Sequence, residues 1–145
     1  MPEQPLVVQE EAVTQNWLAS LLEGAFYRIL GRDDQSIMVE AEHLAIQLVI
    51  DTDKKAIILM IPHDMKEGVN FLQAALAANT CNGNFGWARF YVLPATTGTQ
   101  LRLRIDCSLP FARGINPYHI IYTMQMLERV AVAGFKREVD NFSPT

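Results

Sequence analysis

The sequence predicts an α+β fold of three helices and five strands, in the order α-β-β-β-α-β-β-α. Three observations lead there. Stretches with apolar residues every three or four positions occur beside stretches in which apolar and polar residues alternate one by one, so helical and strand periods share the chain. With 145 residues, 50% of them hydrophobic and 19% charged, the chain can bury one core without disulfides or a metal. No internal repeat, low-complexity tract or Pro/Gly/Ser linker divides it, which suggests a single domain over residues 9–139 with flexible termini at 1–8 and 140–145.

From about Gln9 to Leu30, Val13, Trp17, Leu18, Leu21, Leu22, Ala25, Phe26 and Ile29 recur at helical spacing, and Gly31 supplies a stop. After Arg32-Asp33-Asp34-Gln35, Ile37, Val39 and Ala41 alternate with Met38, Glu40 and Glu42, a short strand. Leu44, Ile46, Leu48 and Ile50 then face one way. Asp51-Thr52-Asp53-Lys54 provides turn residues before Ala56–Ile61, making a β-hairpin. Ala56–Ile61 is apolar on both faces, which calls for cover on both sides.

Pro62 ends that strand, and Asp64 with Glu67 three residues on matches a capping box. A helix from about Met65 to Asn79 would bury Val69, Leu72, Ala75 and Leu76, with Phe71 beside them. Residues 79–86, rich in Asn and Gly, read as a loop. Trp87–Leu93 and Gln100–Leu109 read as strands around a Thr/Gly turn at residues 94–99. Leu101, Leu103, Ile105 and Cys107 take one face of the second strand, and Arg102, Arg104, Asp106 and Ser108 the other. Asn116-Pro117 is a cap residue followed by proline at the first helical position. The closing helix runs to about Phe135 with Ile120, Met124, Leu127 and Ala131 on one stripe.

Composition removes several functions. Twelve Lys+Arg against sixteen Asp+Glu is the wrong sign for a protein that gains affinity by displacing counterions from a phosphate backbone, so nucleic acid is not expected as a partner. Cys81 and Cys107 have neither a zinc-like spacing nor a secretory signal nearby, which points to thiols in a reducing compartment. The opening MPEQPLVVQEEAV is acidic and lacks a basic region. No apolar run approaches the roughly 20 residues of a membrane span, so a cytoplasmic protein without a membrane partner is expected.

His43, His63 and His119 lie in separate elements without a second His or Cys at ligand spacing, so no metal is expected. His63-Asp64 reads as a loop residue and a cap rather than an acid-base pair. Cys107 reads as a buried thiol rather than a nucleophile. Asn82-Gly83-Asn84-Phe85-Gly86 lacks the Lys and Ser/Thr of a phosphate-binding loop. Glu10-Glu11 and Asp33-Asp34 are adjacent pairs whose carboxylates diverge. The chain is therefore read as non-enzymatic, with no catalytic residues and no cofactor.

The positive signal is a row of arginines. Alternating positions on neighbouring antiparallel strands can put Arg89, Arg102 and Arg104 on one sheet face, with Arg113 in the following loop. These four are the candidate partner-binding residues, suited to an acidic protein segment. Ion pairing with Asp106 and with Glu40 or Glu42 is the plainer reading of the same charges. A homodimer is expected, because strands apolar on both faces exceed what three helices cover. The alternative function is a small-ligand sensor or enzyme with a pocket between the sheet and the C-terminal helix, using Arg104, His119 or Tyr122.

The succession Leu76 to Asn84, Phe85-Gly86-Trp87-Ala88-Arg89-Phe90, Leu101-Arg102-Leu103-Arg104-Ile105-Asp106-Cys107-Ser108-Leu109-Pro110, a glycine loop and a closing helix resembles the YbjN-like family of proposed bacterial sensory transduction regulators. At the fold level this looks like the type III secretion chaperones. The resemblance covers roughly residues 10 to 135 and brings no catalytic signature. It implies a five-stranded antiparallel sheet with packed helices, secretion chaperone-like, often a homodimer, and a role in binding or regulating other proteins. The acidic charge and short chain agree with a cyanobacterial-type branch.

Overall fold

The computed structural model describes residues 7–65, 67–84, 87–93 and 101–135. A 3-10 turn at Glu10–Ala12 is followed by α1 (Gln15–Gly24), β1 (Arg28–Arg32), β2 (Ser36–Glu40), β3 (Ala45–Asp51), β4 (Ala56–Asp64), α2 (Phe71–Asn84), β5 (Arg89–Leu93), β6 (Arg102–Pro110) and α3 (Pro117–Gly134). The fold is α+β. The strands form a six-stranded sheet in the order β1-β2-β3-β4-β6-β5, one strand more than the sequence predicts. The chain divides into two compact units, Met1–Leu59 with Ser108–Met126 and Met60–Cys107 with Leu127–Thr145. No helix among the described residues is long and apolar enough to cross a membrane.

In the first unit, the Thr14 hydroxyl caps α1 by accepting from the Trp17 N–H at 3.2 Å. The helix ends six residues earlier than its apolar period suggests, and Phe26 is the reason. Its φ of 68° is left-handed. The Phe26 N–H then reaches the Glu23 carbonyl and the Tyr27 N–H the Leu22 carbonyl, both at 3.0 Å. These are the paired bonds of a Schellman stop, with Phe26 where glycine is usual. The chain leaves α1 in time for residues 28–32 to become the extra strand. β1 pairs antiparallel with β2, with a bulge between Ile29 and Gly31.

Arg28 pairs with Glu40 at 2.7 Å, and Arg32 donates to the Gln15 and Asn16 side chains. A bulge and two arginines blunt this edge strand against pairing with another chain. β2 and β3 pair in uniform register, and Asp51 closes the next turn by accepting from the N–H groups of Asp53 and Lys54. Ile37, Val39, Ile46 and Leu48 are buried, as are Leu18 and Leu22 of α1, which packs on β1 and β2. Near the chain start, Val8 and Ile115 exchange two backbone hydrogen bonds of 2.8 and 2.9 Å. Gly114 makes this possible: its φ is 93°, and a Cβ there would sit 2.5 Å from Val7 Cγ1.

In the second unit, β4 continues through Pro62 to Asp64, so Pro62 does not end it. Ile58 and Met60 are only half-buried, so the outer face of β4 is not covered as fully as its composition suggests. Asp64 caps no helix; it pairs with Arg102 at 2.9 Å. α2 starts instead after Asn70, whose side chain accepts from the Gln73 N–H at 2.8 Å while the Gln73 side chain accepts from the Asn70 N–H at 3.1 Å. This is a capping box six residues later than the one expected.

The buried side of α2 also differs from the expected one. Ala74, Ala77, Ala78 and Cys81 face inward, while Phe71, Leu72 and Leu76, expected in the core, are 62%, 67% and 53% exposed. The helix also runs through Asn79–Asn84, expected as a loop. The expected turn at residues 94–99 lies outside the described residues, as do residues 136–145. α3 follows the sequence closely. Asn116 accepts from the Tyr118 N–H at 2.9 Å, and Ile120, Met124, Leu127 and Ala131 are fully buried.

Two stability measurements follow. Phe26 is 97% exposed in a left-handed conformation, so Phe26→Gly loses no packing and relieves backbone strain. Thermal or urea unfolding should show a gain of roughly 1 kcal/mol, and a loss would mean that the ring is packed in solution. Leu127→Ala should cost about 2 to 5 kcal/mol, and a loss below roughly 0.5 kcal/mol would be incompatible with its complete burial.

Candidate arginine face on β5 and β6

β5 is the other edge of the sheet, and α2 packs against it. The Asn82 amide joins them. It donates to the Phe90 carbonyl at 2.8 Å and accepts from the Phe90 N–H at 2.7 Å, satisfying both polar groups of one strand residue from a single side chain. The Phe90 ring is buried and meets Phe135 edge-on at 6.3 Å between centroids. A Cβ on Gly134 would lie 2.9 Å from Phe90 Cζ and 3.3 Å from Cys81 Sγ, so glycine is what lets α3 come this close.

With Phe90 inward, its neighbours point outward. The β5–β6 register is Arg89↔Asp106, Phe90↔Ile105, Tyr91↔Arg104, Val92↔Leu103 and Leu93↔Arg102. Residues directly opposite on antiparallel strands share a face. Arg89, Tyr91, Leu93, Arg102, Arg104 and Asp106 therefore lie on one side, and the expected grouping of three arginines is present. Arg113 is not in this row; it lies exposed in the turn between Ala112 and Gly114, in the other unit.

The three arginines differ in their partners. Asp106 is only 7% exposed, and a buried carboxylate needs charge-assisted donors. Arg89 supplies two, Nε at 3.3 Å and Nη2 at 3.1 Å, and the Tyr91 hydroxyl donates a third at 2.8 Å. The hydrogen bond and charge of Asp106 raise the Arg89 pKa above its ordinary value. Burial, followed by the bond to Asp106, raises that of the Tyr91 phenol. Arg102 is held by Asp64.

Arg104 is the exception. Its guanidinium lies 5.4 Å from the Tyr91 ring centroid, and its Nη1 contacts Met60 Sδ at 3.1 Å. Among the described residues no carboxylate pairs with it. Arg89 covers the same ring at 4.9 Å, so Tyr91 carries two cations over its π-system. Glu40, weighed from the sequence as a counter-charge for this row, pairs with Arg28 instead.

Cys107 is half-buried, and burial, helped by the Asp106 charge, pushes its thiol up to about 12, far from the thiolate a nucleophile needs. His63 is a strand residue stacked on Phe135 at 4.2 Å and 15° between planes. His43 is 3.6 Å from Glu42, and His119 is exposed on α3, its carbonyl accepting from the Thr123 hydroxyl at 2.7 Å. No group of three or more His, Cys, Asp or Glu among the described residues could hold a metal ion. Asn82, hidden in an apparent loop, was not singled out from the sequence; for Tyr91, which the sequence offers beside Trp87 and Phe90 as a ring that could stack on a ligand or pack on the sheet, the hydrogen bond to Asp106 was missed. The place of Tyr91 between Arg89 and Leu93 on an alternating strand is the signal that could have found this bond.

No protein-family model matches the chain, and no curated protein matches it by sequence. Among solved structures, the fold is similar to the crystal structure of YbjN from E. coli, a proposed transcription regulator. The TM-score is 0.68 at 10% sequence identity, over 82% of this chain and 86% of that one. The likeness is one of fold: the chain has a YbjN-like architecture.

The Tyr91 shift gives a pH expectation. The folded phenol keeps its proton above the ordinary value of 10.0. Between that value and the raised one, the native state holds a proton the unfolded state has lost, so stability falls as pH rises through this window. Subtracting the phenolate absorbance titration of Tyr91→Phe from that of the wild type isolates this group. A midpoint at or below the ordinary value would contradict the burial of the phenol together with its bond to Asp106.

Proposed function

We propose that the protein is a non-enzymatic binding module, adaptor-like or regulatory, that works in the cytoplasm and takes an acidic segment of a protein partner on its β5–β6 face. The observation that carries this reading is Arg104, a guanidinium held over Tyr91 without a carboxylate, on a face whose other two arginines already have one. Its planar donors suit a carboxylate. The Tyr91 ring offers apolar surface beside it, and the Arg102–Asp64 pair can exchange partners at small cost because it is exposed. A non-enzymatic role is supported by how the polar groups are used: Asp106 is spent on Arg89 and Tyr91, and Cys107 is held protonated. The YbjN-like fold supports a regulatory role, and reduced thiols at Cys81 and Cys107 fit a cytoplasmic setting.

Arg104→Gln is the informative variant. Arg89 is unsuitable because its loss would strand the buried Asp106 carboxylate and damage the fold. Fluorescence anisotropy with a labelled glutamate-rich peptide should show salt-dependent binding. Arg104→Gln, alone and combined with Arg102→Gln, should melt like the wild type, bind several-fold more weakly and show a flatter salt dependence. If affinity and salt slope are unchanged, the face is solvated and this reading fails.

A further inference from the structure

The 3.1 Å contact between Arg104 Nη1 and Met60 Sδ sets a charged donor against a poor acceptor. A thioether sulfur accepts hydrogen bonds only weakly. One oxygen added to that sulfur changes the match, because a sulfoxide is polar and its oxygen suits a charged N–H donor. We infer that Met60 is a site of reversible oxidation by hydroperoxides, and that Arg104 holds the resulting sulfoxide oxygen.

Placement and access both support this. Met60 lies with Ile58 and Pro62 on the half-buried side of β4, while Ile57, Leu59 and Ile61 are buried. A molecule as small as hydrogen peroxide can reach it, whereas Met65 and Met124 are 1% and 0% exposed and so are protected. In the reaction a sulfur lone pair attacks the O–H oxygen of the hydroperoxide. The S–O bond forms as the O–O bond breaks, and the proton of the attacked oxygen passes to the departing one, which leaves as water or an alcohol. The sulfur gives up two electrons and the peroxide gains them. The flexible methionine side chain can then turn its new oxygen onto Nη1. With Nη1 so engaged, it no longer pairs with Nη2 on an incoming carboxylate, and an acidic segment binds less well. This last consequence rests on the β5–β6 face being the acidic-segment site; the oxidation site does not.

Titrating the full chain with hydrogen peroxide tests this by peptide mass spectrometry and thermal melting. Met60 should gain one oxygen while Met65 and Met124 stay unmodified, and a methionine sulfoxide reductase with a thiol reductant should remove it. The melting shift due to Met60 is the difference between the oxidised wild type and oxidised Met60→Leu, each against its reduced form. This shift should be small, and larger when the same pair is compared in an Arg104→Leu background, where no guanidinium receives the oxygen. The Arg104 guanidinium NMR signal, assigned by its loss in Arg104→Gln, should move on oxidation of the wild type and not of Met60→Leu. A Met60 that resists peroxide while the half-buried Met38 and Met126 are oxidised overturns the inference. So does an oxidation shift equal with and without Arg104, or a guanidinium signal that does not move. Oxidation should also weaken binding of the glutamate-rich peptide several-fold in the wild type and leave Met60→Leu unchanged. Equal binding before and after oxidation overturns the control of the face by Met60. A peptide that does not bind even the reduced protein counts against the acidic-segment site, with the mass, melting and NMR results still deciding for or against Met60.

Discussion

The pair of hydrogen bonds between the Asn82 amide and the backbone of Phe90 sets much of the second unit. An edge strand presents N–H and C=O groups with no neighbouring strand to receive them, and left open these invite another chain. Asn82 supplies one acceptor and one donor at the geometry a strand would use. That fixes α2 against β5, and the closeness of the fit requires small residues inward, namely Ala74, Ala77, Ala78 and Cys81, with Gly134 from α3 against the Phe90 ring. With the small residues turned in, the larger Leu72 and Leu76 have only the outside left. Phe90 pointing inward likewise turns Arg89 and Tyr91 outward, because side chains alternate along a strand.

The outward face is then governed by one carboxylate. Asp106 is nearly buried, and an unpaired charge there would be costly, so Arg89 and Tyr91 are drawn to it. Three arginines that look equivalent along the chain become unlike one another. Arg89 is part of the structure, Arg102 is half-committed to an exposed pair, and Arg104 rests on a ring and a thioether. An ion-pair network of this kind spends most of its charge internally and leaves over the group it cannot satisfy.

The sheet's two edges are closed by different means. β1 relies on a bulge and on arginines bonded to their neighbours, whereas β5 relies on the Asn82 side chain. The existence of β1 depends on Phe26, which ends α1 in a left-handed conformation while its own ring stays in solvent. An exposed aromatic residue at a position glycine would occupy more comfortably shows that the stop is held by the hydrogen bonds around it rather than by the residue's preference.

Periodicity alone determined the parts of the chain whose signals are local. The Asn116-Pro117 start and buried stripe of α3 are legible because the cap and the 3.6-residue period agree. The common face of Arg89, Arg102 and Arg104 is legible because a strand has period two. The hairpin at Asp51 is legible because its side chain makes the turn by itself. Tertiary structure decided whatever had two local solutions. Asp64/Glu67 and Asn70/Gln73 both fit a capping box, and Asp64 was claimed by Arg102, a partner 38 residues away. The apolar period through Phe26 and Ile29 fits a longer helix, but pairing residues 28–32 with β2 gave that backbone a sheet edge to complete. Both faces of α2 are apolar, so hydrophobicity could not choose between them; close packing on β5 could, since only its alanines and Cys81 are small enough to lie there.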